Sequence, residues 1–417
     1  MKRLKESYDV VVVGCGPGGA MAGKYAARNG AKVLVIDKKR EVGLPVYDTA
    51  SVIYDLAELE HAAGFPFNRA RCAEYQLAGN GFISPSGKFG GIQPWLDGWA
   101  MRRPELEKEL AVSAGRDGAQ IMMDTKFIDV VRENGKVAGV IIQQGEKRVT
   151  VPCKIVIGAD GVYSRVAKRS QIKVPTDIMV SLGRDFVGVK RLVPVDAPFY
   201  ELYMVPELAG YFCWVAPHSD DRLGVAIAFQ PDLLKTGETA REIHDRFIKH
   251  LEKIGRFDFS NAAEVAMMSG TTTAVKDAPD KLAEDGIMLV GDAAWRPLFV
   301  SNWGSPGIPT AVTSGRFAGE TAAAAIKAGD VSENFLKVYE ERLKATFEGS
   351  GITPESLVEA RQLYFKLLSA APEVQDAAVE AIGDQYSSLH LYLRGARPLA
   401  GCIDKIKEWW AKNPQYN

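Results

Sequence analysis

Near its N-terminus the chain carries an apolar run, a glycine-rich turn and an alanine-rich stretch in an order that leaves few folds open. Tyr8 to Val13 reads YDVVVV, short and apolar enough for a strand buried on both faces. Gly14-Cys15-Gly16-Pro17-Gly18-Gly19 follows at once and fits G-x-G-x-x-G. Ala20 to Asn29 then reads as a helix closed by Gly30, and Lys32 to Ile36 as a second strand ending on Asp37. This is a βαβ unit with a dinucleotide turn. Gly14 permits the turn out of the strand, Gly16 lets the backbone approach a pyrophosphate, and Gly19 lets the helix pack on the sheet. The helix N-terminus offers unpaired N–H groups and partial positive charge to phosphates. Asp37 is placed to accept from both ribose hydroxyls. A glycine-rich turn alone would be weak evidence; the strand before it, the helix after it and the acid at the expected distance make the case. The motif does not separate FAD from NAD.

One such unit does not account for 417 residues, a length that calls for two or three modules. Hydrophobic residues make up 47% and charged residues 25%, a globular balance. The 51 basic and 52 acidic residues leave a net charge of -1, which gives no bulk drive toward nucleic acid. Cys15, Cys72, Cys153, Cys213 and Cys402 are odd in number and widely spaced, so neither a disulfide framework nor a cluster site is expected. No apolar stretch suits a signal peptide or membrane span, and a cytoplasmic location is expected.

Three further segments bear on the family. Lys154 to Arg165 reads KIVIGADGVYSR, Gly286 to Ala294 reads GIMLVGDAA, and Arg102-Arg103-Pro104-Glu105-Leu106 opens a helix between these and the first unit. With G-x-G-x-x-G, they resemble the flavoprotein superfamily of aromatic hydroxylases, flavin halogenases and geranylgeranyl reductases. The resemblance implies FAD as cofactor, since a plain NAD dehydrogenase has no need of the second and third elements. It implies that Asp292, beside Gly291, meets the ribityl chain, that Arg103 meets the cofactor, and that Asp160 and Gly161 lie near it. Lys38, Pro45, Phe127, Gly304, Gly307 and Ile308 complete the expected cofactor contacts.

Within that superfamily the chain is most similar to the geranylgeranyl reductase group. Val42-Gly43-Leu44-Pro45-Val46 follows Asp37-Lys38-Lys39-Arg40, and Gly210 to Pro217 reads GYFCWVAP, where Phe212, Trp214 and Pro217 match the group's aromatic strand. Three departures stand out. Tyr47-Asp48 occupies the stretch where the group carries a cysteine, Ala216 replaces a phenylalanine, and a longer loop, Trp295 to Trp303, precedes Gly304-Ser305-Pro306-Gly307-Ile308.

The expected fold is mixed α/β: a Rossmann-type FAD-binding domain, an antiparallel-sheet substrate domain and C-terminal helices. The FAD domain should be discontinuous, built from residues 1–75, 100–165 and 280–330. Residues 76–99 and 166–279 alternate like antiparallel strands, and 331–417 carry helical periodicity. Most aromatics of the middle region, Tyr200 among them, are expected as sheet core, with Phe212 and Trp214 the better candidates for the site. The five histidines form no metal pattern. His244 and His250 are expected in solvent, and His218 is expected as an ordinary structural residue. Trp409-Trp410, among lysines, suits either a membrane interface or a docked terminal helix.

The leading functional reading is an FAD-dependent reductase of carbon–carbon double bonds in a long apolar or lipid substrate. Trp214 and Phe212 shape its channel, Tyr47 and Asp48 are proton-donor candidates by position, and NAD(P)H or ferredoxin supplies electrons. A monooxygenase or halogenase on the same fold, and an electron carrier or non-catalytic scaffold, are the alternatives. No metal is expected, and peripheral membrane contact is compatible with a lipid substrate.

Overall fold

The computed structural model describes residues 4–45, 52–174, 178–235, 237–273, 281–294, 307–346, 354–393 and 401–416. The chain is mixed α/β, with a parallel and an antiparallel sheet facing each other. The first sheet has six strands in the order Ala283–Glu284, Ile287–Leu289, Ile155–Gly158, Val10–Val13, Val33–Ile36, Gln120–Met122. All neighbours pair in parallel except the two-residue edge strand Ala283–Glu284. Val10 to Val13 are at most 5% exposed, as a parallel strand covered on both faces requires.

Beside this sheet two helices pack on each other through glycine. A Cβ on Gly315, in the helix Ile308–Ala328, would lie 2.1 Å from the Gly18 carbonyl oxygen of the helix Pro17–Arg28. One on Gly319 would lie 2.4 Å from the Ala22 carbonyl oxygen. The helix Ile308–Ala328 is thereby seated directly against Pro17–Arg28, and its N-terminus stands beside the glycine turn.

The second sheet has eight strands: Ala263–Thr273, Ile178–Val187, Arg222–Phe229, Phe212–Pro217, Tyr200–Tyr203, Ala73–Ile83, Phe89–Met101, Val52–Ile53. Its pairing is antiparallel except between Tyr200–Tyr203 and Ala73–Ile83. Alternation sorts its residues. Cys213, Val215, Val225 and Ile227 pack under the helix Ala240–Lys253. Phe212, Trp214, Ala226 and Ala228 point the other way, toward the C-terminal helices and the first sheet.

His244 and His250 correct a reading of the sequence. They are 0% and 4% exposed, because Ile243, His244, Phe247, His250 and Leu251 recur at helical spacing on the face of Ala240–Lys253 turned to the sheet. Trp410 is also buried, donating from Nε1 to the Tyr386 hydroxyl at 2.7 Å, while Trp409 stacks on Tyr416. Among the described residues no helix is long and apolar enough to cross a membrane.

Candidate active site

A cavity of about 1040 Å³ lies between the two sheets. Its polar end is built by the first βαβ unit, and each glycine of that unit has a separate physical reason. Gly14 has φ +103, and a Cβ there would lie 2.2 Å from the Ala159 carbonyl oxygen, so both backbone and neighbour exclude a side chain. A Cβ on Gly19 would lie 1.9 Å from the Gly14 carbonyl oxygen; this residue serves close packing and does not line the cavity. Gly16 is different. Its φ of -75 and ψ of -172 suit any residue, and no protein atom lies within 4 Å of its Cβ position. The protein itself does not require glycine there, and the space it keeps is on the side of the cavity.

Asp37 lines the cavity at the end of the second strand. Its Oδ2 accepts the Cys15 N–H at 2.7 Å and its Oδ1 the Lys39 N–H at 2.8 Å. Each carboxylate oxygen keeps a further lone pair. The acid therefore shapes the glycine turn and still offers acceptors toward the cavity. Cys15 is buried beside it, and burial pushes its thiol up to about 12, so it stays protonated and inert.

Arg103 opens the helix Arg103–Arg116 and reaches the cavity, its Nε donating to Glu107 Oε1 at 2.8 Å. Glu107, itself buried and lining the cavity, was not singled out by sequence; only its i,i+4 spacing from Arg103 could have suggested it. Lys38 and Phe127 line the same end. Asp160 lines it too, yet Ser164 Oγ donates to its Oδ1, and the Arg165 and Val166 N–H groups donate to its Oδ2 at 2.7 and 3.3 Å. Burial raises the Asp160 carboxyl above its ordinary value, and these hydrogen bonds oppose the rise. Its visible work is to hold the start of a short helix, while Gly161, at φ +78, keeps open space.

Gly291–Ala294 and the start of the helix Ile308–Ala328 add the next part of the cavity wall. Gly291, at φ +57, donates its N–H to Ser314 Oγ at 3.1 Å, and Asp292 follows in the cavity wall. Gly307, at φ +66 and ψ -132, precedes the helix Ile308–Ala328, and Ile308 and Pro309 line the cavity. That backbone conformation is open to glycine alone. Pro45 is exposed and is not among the lining residues. Tyr47, Asp48, Gly304, Trp303 and Pro306 lie outside the described residues.

The other end is apolar. Phe212 and Trp214 line it from the floor of the second sheet, with ring centroids 5.1 Å apart. Small neighbours make room for the indole: Ala226 pairs with Trp214, and Gly183 with Ala226. Met179, Tyr200 and Tyr54 line the cavity too, and the same sheet adds Ser181, Ser269 and Thr271 to the lining. His218 does not line the cavity; it is buried, with Nδ1 2.9 Å from Glu74 Oε2. Among the described residues no cluster of metal-ligating side chains occurs.

These residues fit FAD. Glycine backbone, a helix N-terminus, Arg103 and Lys38 suit a pyrophosphate, and Asp37 a ribose. The comparisons agree. The family described as FAD binding domain matches residues 98–348, and FAD dependent oxidoreductase matches residues 9–162. The digeranylgeranylglycerophospholipid reductase of Methanocaldococcus jannaschii is 30% identical over 404 residues, 94% of each chain. That of Methanosarcina acetivorans is 31% identical over 352 residues, 82% of each. A geranylgeranyl bacteriochlorophyll reductase-like structure from Thermoplasma acidophilum superposes with a TM-score of 0.75 at 25% identity, covering 97% of this chain and 99% of its own. A flavin-dependent brominase, at TM-score 0.68 and 18% identity over 99% of this chain and all of its own, shares the fold. The chain belongs to the FAD-binding domain family and is an FAD-dependent oxidoreductase similar to the geranylgeranyl reductases.

Proposed function

We propose that this enzyme saturates carbon–carbon double bonds in a long isoprenoid or comparably apolar lipid chain. The observation that carries this reading is the continuity of one cavity, from the glycine turn at Gly14–Gly18 to the aromatic floor at Phe212 and Trp214. Reduced FAD, when bound, supplies hydride. The chain's own residues do the rest. Gly16 and the helix N-terminus behind it seat the pyrophosphate, Asp37 the ribose, and Arg103 and Asp292 the middle of the cofactor. Trp214 and Phe212 hold the alkene flat, and their burial keeps that end dry. A proton from water or a nearby acid completes the addition, with Tyr47 and Asp48 the positional candidates.

The relatives named for digeranylgeranylglycerophospholipid reduction support an isoprenoid lipid as substrate. NAD(P)H or a ferredoxin delivers the electrons, since the sequence carries a single nucleotide fingerprint. A lipid substrate would be met at a membrane surface. The test is anaerobic: chemically reduced holoenzyme is mixed with a geranylgeranyl lipid, and the product mass is followed. Gain of hydrogen in step with flavin reoxidation supports the reading. Stable reduced flavin that reacts only on admission of oxygen, giving a hydroxylated or halogenated product, overturns it in favour of an oxygenase.

A further inference from the structure

Tyr200 begins the strand Tyr200–Tyr203 and lines the cavity, packed in the same cluster as Trp214. It is 1% exposed. Its ring centroid lies 6.1 Å from that of Trp95, and Trp95 meets Tyr54 edge-on at 4.8 Å. Tyr54 lines the cavity as well, whereas Trp95 does not. Two tyrosines thus form the inner surface of a wall, and the indole stands behind them. That indole is fixed in turn: its Nε1 donates to Asn80 Oδ1 at 2.9 Å, and Asn80 Nδ2 donates to the Ser387 carbonyl oxygen at 3.1 Å. Asn80 lies opposite Tyr200 on one side and Gln93 on the other.

In that layer the packing changes character. Gln93 Oε1 and Ser387 Oγ are buried and have no hydrogen-bond partner. An apolar chain gains by covering its methylene groups with aromatic rings. It loses by pressing on polar groups that water can no longer reach. These polar groups do not line the cavity, so a chain lying along Phe212 and Trp214 meets the Tyr200 ring first, and the room gained by removing that ring is the space the ring itself fills.

We propose that Tyr200, backed by Trp95 and Tyr54, sets the length of apolar chain the cavity accepts. This rests on the isoprenoid reading above. The experiment uses FAD-loaded, full-length enzyme as wild type, Tyr200→Leu and Tyr200→Ala. Farnesol, geranylgeraniol and geranylfarnesol, which differ by one isoprene unit each, are the substrates. Two quantities are read: kcat/KM under anaerobic reduction, and Kd for the oxidised enzyme by equilibrium dialysis. Flavin content and melting temperature establish that each variant is folded. In Tyr200→Ala the preference for the longest over the shortest alcohol should rise by about 10-fold or more, because a single methylene in a fitted apolar pocket is worth ~10–200-fold. Tyr200→Leu should shift it the same way by less, and decides the matter if the alanine variant does not fold. A folded, flavin-loaded leucine variant with the wild-type length preference in both measurements overturns the proposal. Failure of the isoprenoid reading looks different: the wild type then reduces none of the three alcohols, and the proposal falls with it.

Discussion

The Asp37 carboxylate accepts the Cys15 backbone N–H at 2.7 Å, so the acid at the tip of the second strand is tied to the turn leaving the first. Asp37→Ala removes the proposed ribose acceptor and releases the turn together. FAD affinity should fall by about 1–3 kcal/mol, the usual penalty for buried donors left without a partner. Titration of apoenzyme with FAD, followed by flavin fluorescence, measures this; an unchanged Kd would remove Asp37 from the cofactor site.

Gly16 and Gly315 make opposite predictions although both are glycines. The Cβ of Gly16→Val would meet no protein atom within 4 Å, so the apoprotein should keep its stability to within about 1 kcal/mol. The side chain would stand where the pyrophosphate approaches, and flavin should be lost. Gly315→Val meets the Gly18 carbonyl oxygen, since even a Cβ falls 2.1 Å away. Overpacking there should destabilise the fold by at least ~1–3 kcal/mol. Melting curves of the two apoproteins, with flavin absorbance after reconstitution, separate the cases. A yellow, fully loaded Gly16→Val protein would refute the cofactor assignment.

Trp214 is 7% exposed and is both core residue and cavity wall. Trp214→Ala should lower stability toward the ~3–5 kcal/mol of a buried tryptophan truncation. If the variant remains folded, flavin content should stay near normal, because the residues proposed for the ADP half lie on the other sheet. Alkene reduction should fall about 100-fold, since reacting atoms displaced by ~1 Å lose that much. Turnover and regiochemistry unchanged in a loaded variant would take Trp214 out of the site.

His244 predicts an acid-sensitive fold. Burial takes its imidazole from 6.5 down to about 4, with the Arg184 guanidinium adding to the fall. Its Nε2 lies 2.8 Å from the Val225 carbonyl oxygen and its Nδ1 3.3 Å from Arg184, an arrangement that suits the neutral ring. The unfolded chain binds this proton more readily than the folded one. His244 therefore has no destabilising effect above pH 6.5, and folding stability falls as pH drops from about 6.5 to about 4, by up to ~3 kcal/mol. Urea unfolding at several pH values should show the slope in wild type and a shallower one in His244→Gln. Equal slopes would assign the acid sensitivity to other groups.

The sequence made the nucleotide turn legible because its constraints are local. Gly14, Gly16, Gly19 and Asp37 sit within one βαβ unit, and their spacing alone states the geometry. Phe212 and Trp214 were legible as cavity-lining residues through resemblance. Glu107 was not, because a buried acid on a helix looks like a solvated one until its partner is placed. Gly315 and Gly319 were missed for the same kind of reason: their need for no side chain comes from a helix some 300 residues away in sequence, which no window of neighbours contains. His244 and His250 misled because the polar residues around them dominate the composition of their helix, while its narrow buried face is set by the sheet beneath.

The parallel sheet draws its strands from the beginning, the middle and the far third of the chain. Synthesis runs from the N-terminus, and early segments leave the ribosome long before late ones. The turn proposed to receive the nucleotide is thus synthesised near the outset, while Gly291, Asp292 and the helix beginning at Ile308 are still untranslated. On the cofactor contacts proposed above, firm capture of FAD would wait until most of the polypeptide has emerged, and an early-terminated chain lacking that last segment would leave the ribosome with only part of its cofactor site.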